Sequence, residues 1–434
     1  MAWLKKKRKP SVCIIGLDGV PHSLVMDLTS RSIMPALAQL IDRGSLRRLR
    51  ASLPEISAVS WTDFMTGANS GTHGIFGFTD FKRGSYEIRF PNFLDLKCPT
   101  FWDRLAEMGK RCIIINQPST YPARRVNGIL ISGFVALELE RAVYPPSEKA
   151  NLEKMGYQID IDTVKARQDA DFLWQELDRT FTSRERAFRH FWQGDWDYFE
   201  LVITGTDRLH HFLWRSGLDP QNSHHQKFLD YYRRIDRFIG EIASAFEKLT
   251  GGLEGFYILS DHGFCSIEKE VYLNAWLERE GYLRFRANEA KGLEEIADGS
   301  VAFALDPSRI YLNVEGRFPR GIVTPAERDI LRKEIGQKLA RLEDGGKKVI
   351  RHVFRAEEVY SGPLLPEGPD LIVVSEPGFD IKGSVKKREV FGSTDLQGMH
   401  TWEDAFVWSI TPLGQNLAIG QLAGFILDHF NEKR

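Results

Sequence analysis

The sequence predicts an α/β protein built on a doubly wound, mostly parallel sheet, with a smaller α+β lobe inserted before the last part of that sheet. Between residues 11 and 262, short apolar runs typical of buried strands alternate with segments whose apolar residues recur at helical spacing. Three of these apolar runs are closely followed by an aspartate. In open α/β sheets, ligands bind outside the carboxyl ends of the strands. The repeated aspartate therefore predicts a functional site at that edge of the sheet.

The predicted lobe rests on a change of pattern between about residues 284 and 395. Polar segments dominate there, with a helix at about 325–342 and strands near residues 350 and 370. The chain has 434 residues, which is too long for one ordinary hydrophobic core. We therefore predict that residues 1–283 and 396–434 form the core domain and that residues 284–395 form an inserted α+β lobe.

Composition and charge indicate a globular protein without a strong electrostatic partner. Hydrophobic residues make up 42% and charged residues 27% of the chain, which is typical of soluble globular proteins. The net charge is −1, so no global field favours nucleic acid or acidic membranes. The one basic run, Lys5-Lys6-Lys7-Arg8-Lys9, reads as a solvated terminus rather than a site for anionic lipid. We expect a small-molecule substrate and no nucleic acid, and the sequence predicts no oligomeric state.

Cysteine usage and hydropathy predict a cytoplasmic protein. The four cysteines lack paired spacing, so they indicate no disulfide framework and favour a reducing compartment (Cys13, Cys98, Cys112 and Cys265). Asp18 and Gly19 interrupt the first apolar run before it reaches the length of a signal peptide. No stretch approaches the length and apolarity of a membrane-spanning helix.

The first strand, at residues 12–17, ends at Asp18-Gly19, where a glycine allows the backbone to turn tightly. Taken alone, Asp18 is better explained as a cap of the next helix. Apolar spacing from Met34 to Leu40 predicts a helix that Gly44 ends.

Ser57 is the candidate nucleophile. Pro54 predicts an extended entry, and helical spacing begins after Ser57, at Trp61 and Phe64. A hydroxyl at a helix N-terminus lies in a positive potential among free N–H groups, which suits an attacking oxygen and a phosphate together. An ordinary N-cap is the alternative role for this serine. A Ser-His-Asp hydrolase is disfavoured because no serine lies in a Gly-x-Ser-x-Gly elbow.

The middle of the chain continues the alternation of helix and strand. The pattern at residues 101–109 predicts an amphipathic helix, and the pattern at residues 112–115 predicts a buried strand. Residues 170–192 are predicted to form a helix whose aromatic stripe belongs to the core. Residues 123–168, rich in turn residues, predict an excursion over the top of the sheet.

Two further strand ends carry Asp and His together. The strand at 198–204 is followed by Asp207 and His211, which share one helical face because they are four residues apart, whereas His210 points elsewhere. After a predicted helix at about 224–247, the strand at 256–259 ends at Asp261-His262. Oxygen and nitrogen ligands in this mixture suit a zinc-like divalent ion. Capping aspartates and solvated histidines are the alternatives.

The C-terminal part adds one lone histidine, His400, in a predicted loop before a strand at 405–410. We also predict a helix that starts at Val271 and is closed by Gly281, and a final helix at about 413–430.

Several motifs together resemble the type I phosphodiesterase/nucleotide pyrophosphatase family of the alkaline phosphatase superfamily. They span most of the chain: Gly16-Leu17-Asp18-Gly19, Ser57-Ala-Val-Ser60-Trp61 leading to Met65-Thr66-Gly67, His73-Gly-Ile-Phe-Gly-Phe78, Thr100–Leu105, Pro118–Pro122, Asn127–Phe134, Asp207-x-x-x-His211, and a Gly-Arg-x-Pro-x-Gly-x-Val-like stretch at 316–323. The resemblance implies an alkaline phosphatase-like fold. It also implies that Ser57 is the nucleophile, where the family usually has threonine, and that Ser60 stands where a phosphate-binding asparagine occurs in nucleotide pyrophosphatases.

The same resemblance implies two metal sites. Asp18, Asp261, His262 and the Ser57 oxygen would hold one ion, and Asp207, His211 and His400 the other; we expect both ions to be zinc. The implied function is metal-dependent hydrolysis of phosphodiesters, with nucleotide pyrophosphates among the candidates, through a phosphoseryl intermediate. Phosphomonoesterase, phosphonate hydrolase or another reaction of the superfamily is the alternative, and a non-enzymatic binding protein of the same fold is disfavoured because the ligand set is complete.

Overall fold

The computed structural model describes residues 11–287 and 289–431. The basic run at 5–9 lies outside the described residues. Within the described ranges, no helix combines the length and apolarity needed to cross a membrane.

The strands are numbered in chain order. They are β1 (Val12–Leu17), β2 (Ser45–Leu49), β3 (Asp80–Phe81), β4 (Ile88–Arg89), β5 (Cys112–Gln117), β6 (Gly128–Ser132), β7 (Val143–Tyr144), β8 (Tyr198–Ile203), β9 (Phe256–Leu259), β10 (Gly263–Ser266), β11 (Lys269–Tyr272), β12 (Ala302–Leu305), β13 (Arg309–Leu312), β14 (Glu343–Asp344), β15 (Lys347–Lys348), β16 (Ile350–Arg355), β17 (Leu371–Ser375), β18 (Phe379–Lys382), β19 (Phe391–Gly392), β20 (Gly398–Thr401) and β21 (Ala405–Ser409).

The α-helices are numbered in the same way. They are α1 (His22–Ser30), α2 (Pro35–Arg43), α3 (Ser57–Thr66), α4 (Ser70–His73), α5 (Phe101–Glu107), α6 (Lys149–Lys154), α7 (Thr163–Ala166), α8 (Ala170–Trp192), α9 (Gly205–Leu218), α10 (His225–Thr250), α11 (Leu273–Arg279), α12 (Pro325–Leu339), α13 (Ala356–Val359) and α14 (Leu422–Asn431).

The main sheet confirms the predicted fold class. In the described part of the chain it has eight strands in the order β2-β21-β9-β1-β8-β5-β6-β7. Strands β9, β1, β8, β5 and β6 run parallel, whereas β21 and β7 are antiparallel to their neighbours within this block. The three strands that precede Asp18, Asp207 and Asp261 are the adjacent strands β1, β8 and β9, so their carboxyl ends meet at one edge.

Helices cover both faces of this sheet because side chains alternate along each strand. On one face, Cys13, Ile15 and Leu17 of β1 belong to a core with apolar residues of α1, α2, α8, α9 and α10. On the other face, Val12 and Ile14 pack with apolar residues of α3, α5 and α14. The strand β1 is therefore buried on both sides, which is typical of a parallel sheet.

The lobe is built around a second hydrophobic cluster and two small sheets. Strands β12, β13, β17 and β16 form one sheet, and β18, β11 and β19 form the other. The cluster includes side chains between residues 271 and 283 and also Tyr86. The domain division at residue 284 stays a prediction, since a boundary drawn on packing would place 271–283 with the lobe.

The structure differs from the predictions at five places, and one of them is His400, which lies in strand β20 paired with β10 rather than in a loop. Residues 123–168 are not only an excursion, because β6 and β7 within them extend the main sheet. Strand β2, absent from the predictions, pairs with β21 at the opposite edge. Residues 271–272 belong to a strand, so the following helix begins at Leu273. The last helix begins at Leu422 rather than near residue 413, since Ala418 bridges to Arg50 in extended conformation.

Candidate active site

The predicted ligands converge at the carboxyl edge of the sheet. Asp18 follows β1, Asp261 follows β9, and Asp207 lies in the first turn of α9 after β8. All three carboxylates are buried, with exposures of 3% or less. Their strands are neighbours in the sheet, so the chain brings residues from widely separated positions into one pocket.

The first cluster groups Asp18, Asp261, His262 and Ser57. The Nε2 atom of His262 lies 3.6 Å from Asp18 Oδ1 and 3.4 Å from Asp261 Oδ2. Ser57 Oγ lies 3.2 Å from Asp18 Oδ1 and 3.2 Å from His262 Nε2. These are the four residues that the sequence assigned to one ion.

The second cluster groups Asp207, His211 and His400. The Nε2 atoms of His211 and His400 lie 3.4 Å and 3.2 Å from Asp207 Oδ1. The two Nε2 atoms are 3.0 Å apart. The clusters adjoin each other, because the His400 ring stacks on the His262 ring with centroids 3.6 Å apart. His262 Nε2 is also 4.0 Å from Asp207 Oδ1, so His262 lies between the two groups.

Each histidine of the site is oriented by a backbone carbonyl. The Nδ1 atom of His262 donates to Gly263 O at 3.1 Å. His211 Nδ1 donates to Gly398 O at 3.1 Å, and His400 Nδ1 donates to Glu55 O at 2.8 Å. A carbonyl only accepts, so each Nδ1 carries a proton, and in the neutral ring, which is the form that binds a metal, each Nε2 presents a lone pair to the site. Orientation of this kind is typical of metal-ligating histidines.

Burial and mutual repulsion shift the ionisation of the first cluster. Burial, together with the charges of Asp261 and Asp207, raises the pKa of Asp18 well above its usual range. Burial raises the pKa of Asp261 to about 7 and lowers the pKa of His262 to about 4. These directions follow from carboxylates and imidazoles gathered out of water, and the charges of His262 and Arg208 offset the shift of Asp18 only in part.

Asp207 behaves differently from the other two carboxylates. Burial acts to raise its pKa, but the charge of His211 and hydrogen bonds from His211 and His400, which require rings protonated at Nε2, act with the charge of Arg208 to hold the pKa well below its usual range. Arg208 Nη1 donates to Asp207 Oδ2 at 2.8 Å. One oxygen of Asp207 therefore faces an arginine and the other faces the histidines.

The residues present fit one or more divalent ions. Potential ligand atoms of the buried residues Asp18, Asp261 and His262 lie within 4.8 Å of one another, and so do those of Asp207, His262 and the half-buried His400. Asp261 Oδ2 is buried without a hydrogen-bond partner among the described residues. Histidine nitrogens with lone pairs that face the site, and a carboxylate oxygen without another partner, are ligands that a divalent cation binds.

Ser57 is the first residue of α3 and does not cap it. The N-cap position is Ile56, which makes no side-chain cap hydrogen bond. The Ser57 hydroxyl instead turns toward Asp18 and His262, and it is 6% exposed. Trp61, one turn along the same helix, donates from Nε1 to Asp18 Oδ2 at 3.2 Å. The alternative of a simple capping serine therefore does not describe its contacts.

Two polar residues near these motifs lie outside the cluster. Ser60 is fully buried, and its Oγ accepts from the Ser52 N–H at 3.1 Å, so its predicted role toward a phosphate has no support in this geometry. His210 is also fully buried, with Nδ1 donating to Gly19 O at 2.8 Å and Nε2 lying 2.6 Å from Tyr232 Oη. The sequence predicted only that His210 points elsewhere than His211, and the structure shows that it packs in the core.

Sequence reasoning missed three residues that support the site. They are Arg208, which also pairs with Asp160 at 2.7 Å; Trp61, which holds Asp18; and Glu55, whose carbonyl orients His400. The position of Arg208 beside Asp207 was a usable signal. The Asp160 and Glu55 contacts join segments that no local pattern connects.

A family profile decides the classification. The profile described as type I phosphodiesterase/nucleotide pyrophosphatase matches residues 12–403. The chain belongs to this family. Its members are hydrolases that act on phosphoester bonds and depend on metals, so the predicted family and enzyme class are confirmed at this level. No curated protein sequence matches this phosphodiesterase-family chain at a significant level.

Solved structures share the fold of this family member at low sequence identity. Phosphonoacetate hydrolase from Sinorhizobium meliloti 1021, in complex with phosphonoformate, is similar with a TM-score of 0.64 and 16% identity, over 98% of this chain and 96% of that chain. Murine ectonucleotide pyrophosphatase/phosphodiesterase 5, as an inactive variant with AMP, is similar with a TM-score of 0.56 and 12% identity, over 98% and 95% of the two chains. These similarities support the fold of the whole chain.

Proposed function

We propose that this protein is a metal-dependent phosphodiesterase in which Ser57 is the nucleophile. The observation that carries the proposal is the meeting of three aspartates and three histidine Nε2 atoms in two adjoining clusters, with the Ser57 hydroxyl against Asp18 and His262 of the first cluster. Asp18, Asp261, His262 and Ser57 would hold one divalent ion, and Asp207, His211 and His400 a second. The mixed oxygen and nitrogen donors favour zinc.

Bound ions would supply positive charge that lowers the pKa of the Ser57 hydroxyl and compensates the charge on the phosphoryl oxygens. The chain supplies the positions of the reacting groups. The N-terminal turn of α3 presents free backbone N–H groups beside Ser57, in a positive potential that suits a phosphate. Asp18 and Trp61 hold the first strand end and this helix together, which fixes the attack direction of Ser57 Oγ.

The proposed reaction proceeds in two displacements. Ser57 Oγ forms a bond to phosphorus while the bond from phosphorus to one ester oxygen breaks, and that oxygen leaves as an alcohol after taking up a proton. A water oxygen then bonds to phosphorus and the Ser57 oxygen is released, again as a hydroxyl. The net reaction consumes one water and gives a phosphomonoester and an alcohol, so no oxidant or reductant is required.

Phosphonate hydrolysis is the second candidate function. It is favoured by the similarity over 98% of the chain to a phosphonoacetate hydrolase, which is described with phosphonoformate bound. Nucleotide pyrophosphates stay within the first proposal, since the family profile names them and the murine relative is described with AMP. A panel of aryl phosphodiester, aryl phosphomonoester and phosphonoacetate separates these reactions.

The cellular compartment is proposed from cysteine chemistry. The four cysteines have no paired spacing in the sequence, and such cysteine usage is typical of proteins in reducing compartments. We propose a cytoplasmic location on that basis, and alkylation of the thiols in intact cells before lysis tests it. Cysteines found paired or blocked in the cell would contradict the proposal.

Substitution of Ser57 tests the proposed nucleophile. We expect Ser57→Ala to lose at least about a thousandfold in kcat on an aryl phosphodiester, because the group that bonds to phosphorus is missing. Ser57→Thr should retain part of the activity, since it keeps a hydroxyl at the same helix position. Metal content by elemental analysis and circular dichroism should match the wild type in both variants. Near-normal turnover by metal-loaded Ser57→Ala would exclude the covalent mechanism.

A further inference from the structure

A large apolar cavity lies beside the helix that carries Ser57. Its volume is about 640 Å³, within the range of sites that enclose a drug-sized molecule. The side chains that line it are mainly aromatic and aliphatic, among them Met65, Phe78, Phe93, Tyr121, Phe134 and Leu137. We call it the apolar pocket.

Polar side chains of the apolar pocket are engaged by the protein itself. Thr62 Oγ1 donates to Ala58 O at 2.6 Å, and the Asn92 side chain accepts from the Leu94 N–H at 2.9 Å. The Arg141 guanidinium lies 5.5 Å from the centre of the Tyr121 ring. Arg141 and the Ser119 hydroxyl stay among the polar groups of the lining, but aromatic and aliphatic side chains outnumber them, so the pocket suits a hydrocarbon chain better than a nucleobase.

The apolar pocket adjoins the helix turn that carries Ser57. Ala58, the neighbour of Ser57, lines it, and Phe78 packs against Ala58. Phe134 packs edge-on against Phe78 with ring centroids 5.4 Å apart. The Arg208 guanidinium lies 4.2 Å from the centre of the Phe134 ring while its Nη1 holds Asp207. These contacts place the pocket next to the first turn of α3, on the side where a group attached to phosphorus at Ser57 could enter it.

The rim of the apolar pocket carries large apolar side chains that face solvent. Leu137 is 85% exposed, Phe90 is 75% exposed and Val135 is 43% exposed, and all three line the pocket. Exposed leucine or phenylalanine side chains occur singly on most proteins, but a group at the mouth of an apolar pocket marks an interaction site. Leu137 and Phe90 extend the pocket lining outward, as expected where an apolar chain enters from a lipid phase.

A second cavity beside the active site has the opposite character. It has a volume of about 260 Å³ and is lined by Glu55, Asp306, Asp380, Lys382, His211 and His400. Lys382 Nζ pairs with Asp380 Oδ2 at 2.7 Å, while Glu55 Oε2 is buried without a hydrogen-bond partner in the described part of the chain. This polar cleft lies between the core and the lobe, next to the second ligand cluster.

We infer that the substrate is a lipid phosphodiester whose hydrocarbon arm occupies the apolar pocket and whose small polar arm lies in the polar cleft. The inference rests on the proposed function and names its substrate class. The exposed rim of Phe90, Val135 and Leu137 docks on the lipid surface that holds the substrate, so that the hydrocarbon arm passes into the pocket without crossing water.

The two cavities also determine which ester bond breaks. In an in-line displacement the leaving oxygen departs opposite the attacking Ser57 Oγ. The polar cleft is lined by His211 and His400, whereas the apolar pocket adjoins Ser57 through Ala58. The bond to the polar arm therefore breaks and that arm leaves as an alcohol. The hydrocarbon arm stays on phosphorus and is released by water as an alkyl phosphomonoester.

Vesicle flotation tests the docking surface without any activity readout. The full chain, treated with a chelator, is mixed with uncharged dioleoyl phosphatidylcholine vesicles at physiological salt. We expect the wild type to float with the vesicles, and Leu137→Ser or Phe90→Ser each to weaken partitioning roughly tenfold. Ile330→Ser is the matched control, since Ile330 is 67% exposed on α12 in the lobe, away from this rim. Wild-type protein that fails to float, or equal weakening by Ile330→Ser, would overturn the docking surface.

Matched diesters test the substrate class. We expect kcat/KM for dodecyl 2-hydroxyethyl phosphate to exceed that for methyl 2-hydroxyethyl phosphate at least about a hundredfold, with dodecyl phosphate and ethylene glycol as products by mass spectrometry. Leu137→Ser should reduce this ratio. Equal kcat/KM for the two esters, dodecanol as the product, or faster hydrolysis of adenosine 5′-methyl phosphate would overturn the inference alone. Hydrolysis of none of these diesters would overturn the proposed function as well.

Discussion

Among single residues, Glu200 is the most unusual group outside the active site. It lies in β8 at the centre of the sheet, is fully buried, and accepts from the Tyr198 hydroxyl at 2.6 Å. Burial raises its pKa to about 8, because no cation compensates a charge at that position. The carboxyl therefore stays protonated in the folded protein at neutral pH, and it behaves as a polar core residue rather than a charge.

This raised pKa predicts a pH-dependent stability. Between about pH 4.5, the ordinary value, and about pH 8, Glu200 is protonated when folded and ionised when unfolded. The unfolded state thus binds fewer protons, and the free energy of unfolding falls by roughly 1.4 kcal/mol per pH unit through that window. Glu200→Gln should remove this pH dependence. The free energy of unfolding of the variant should therefore rise by about 3 kcal/mol relative to that of the wild type between pH 5.5 and pH 8.

Urea unfolding of both proteins at several pH values measures the difference. The Gln side chain keeps an oxygen acceptor for Tyr198, so the variant should fold. The difference between the two free energies of unfolding should increase with rising pH. A difference that stays constant across the pH range would contradict the raised pKa of Glu200.

Among the elements, helix α3 is held in place by a network of polar side chains around Asp63. Asp63 accepts from the Ser52 hydroxyl at 2.6 Å and lies 2.6 Å from His73 Nε2. His73 Nδ1 accepts from the Ile75 N–H at 3.1 Å, so its Nε2 carries the proton that it donates to Asp63. The helix that presents Ser57 is therefore fixed to the segments before and after it.

Loss of Asp63 should disturb both stability and catalysis. We expect Asp63→Ala to lower the free energy of unfolding by roughly 2–4 kcal/mol, because two hydrogen bonds are lost and their partners stay buried. The kcat should fall as well, since Ser57 begins the same helix and its direction depends on that helix. Chemical denaturation and aryl phosphodiester kinetics measure the two effects, with the exposed Asp42→Ala on α2 as the control. A destabilised variant with unchanged kcat would show that this network does not position the nucleophile.

At the scale of the whole molecule, the ligand clusters join distant parts of the chain. Asp18 follows the first strand, Asp207 and His211 lie on α9, Asp261 and His262 follow β9, and His400 lies on β20 from beyond the lobe. An ion held by these residues binds the folded protein and not the unfolded chain, so it should stabilise the whole fold.

Metal removal should therefore lower the melting temperature. At an ion concentration about 100 times Kd, each site contributes about 2.7 kcal/mol to the free energy of unfolding. Chelation should lower the midpoint of thermal unfolding, and zinc or manganese should restore it. His211→Asn should show a smaller shift, whereas the exposed His190→Asn on α8 should show the full shift. Equal shifts in these two variants would contradict the assignment of His211.

The sequence alone determined the elements on which the site is built. Apolar runs that end at Asp18, before Asp207 and at Asp261 were sufficient to predict three parallel strands and their common edge, because strand burial and strand termination are local properties of the chain. The spacing of Asp207 and His211 was also sufficient to place both on one helical face, since helix geometry is regular. Ser57 could be placed at a helix start for the same reason.

Only the tertiary structure decided how these elements meet. His400 is oriented by the carbonyl of Glu55, which is 345 positions away in the sequence, and Arg208 reaches Asp160 in a segment without regular structure. The same holds for β2 and β21 at the sheet edge and for the apolar pocket beside Ser57. Periodicity records which face of an element is buried, but not which distant segment covers it. That choice depends on the packing of the whole chain, where shape and burial of many side chains act together.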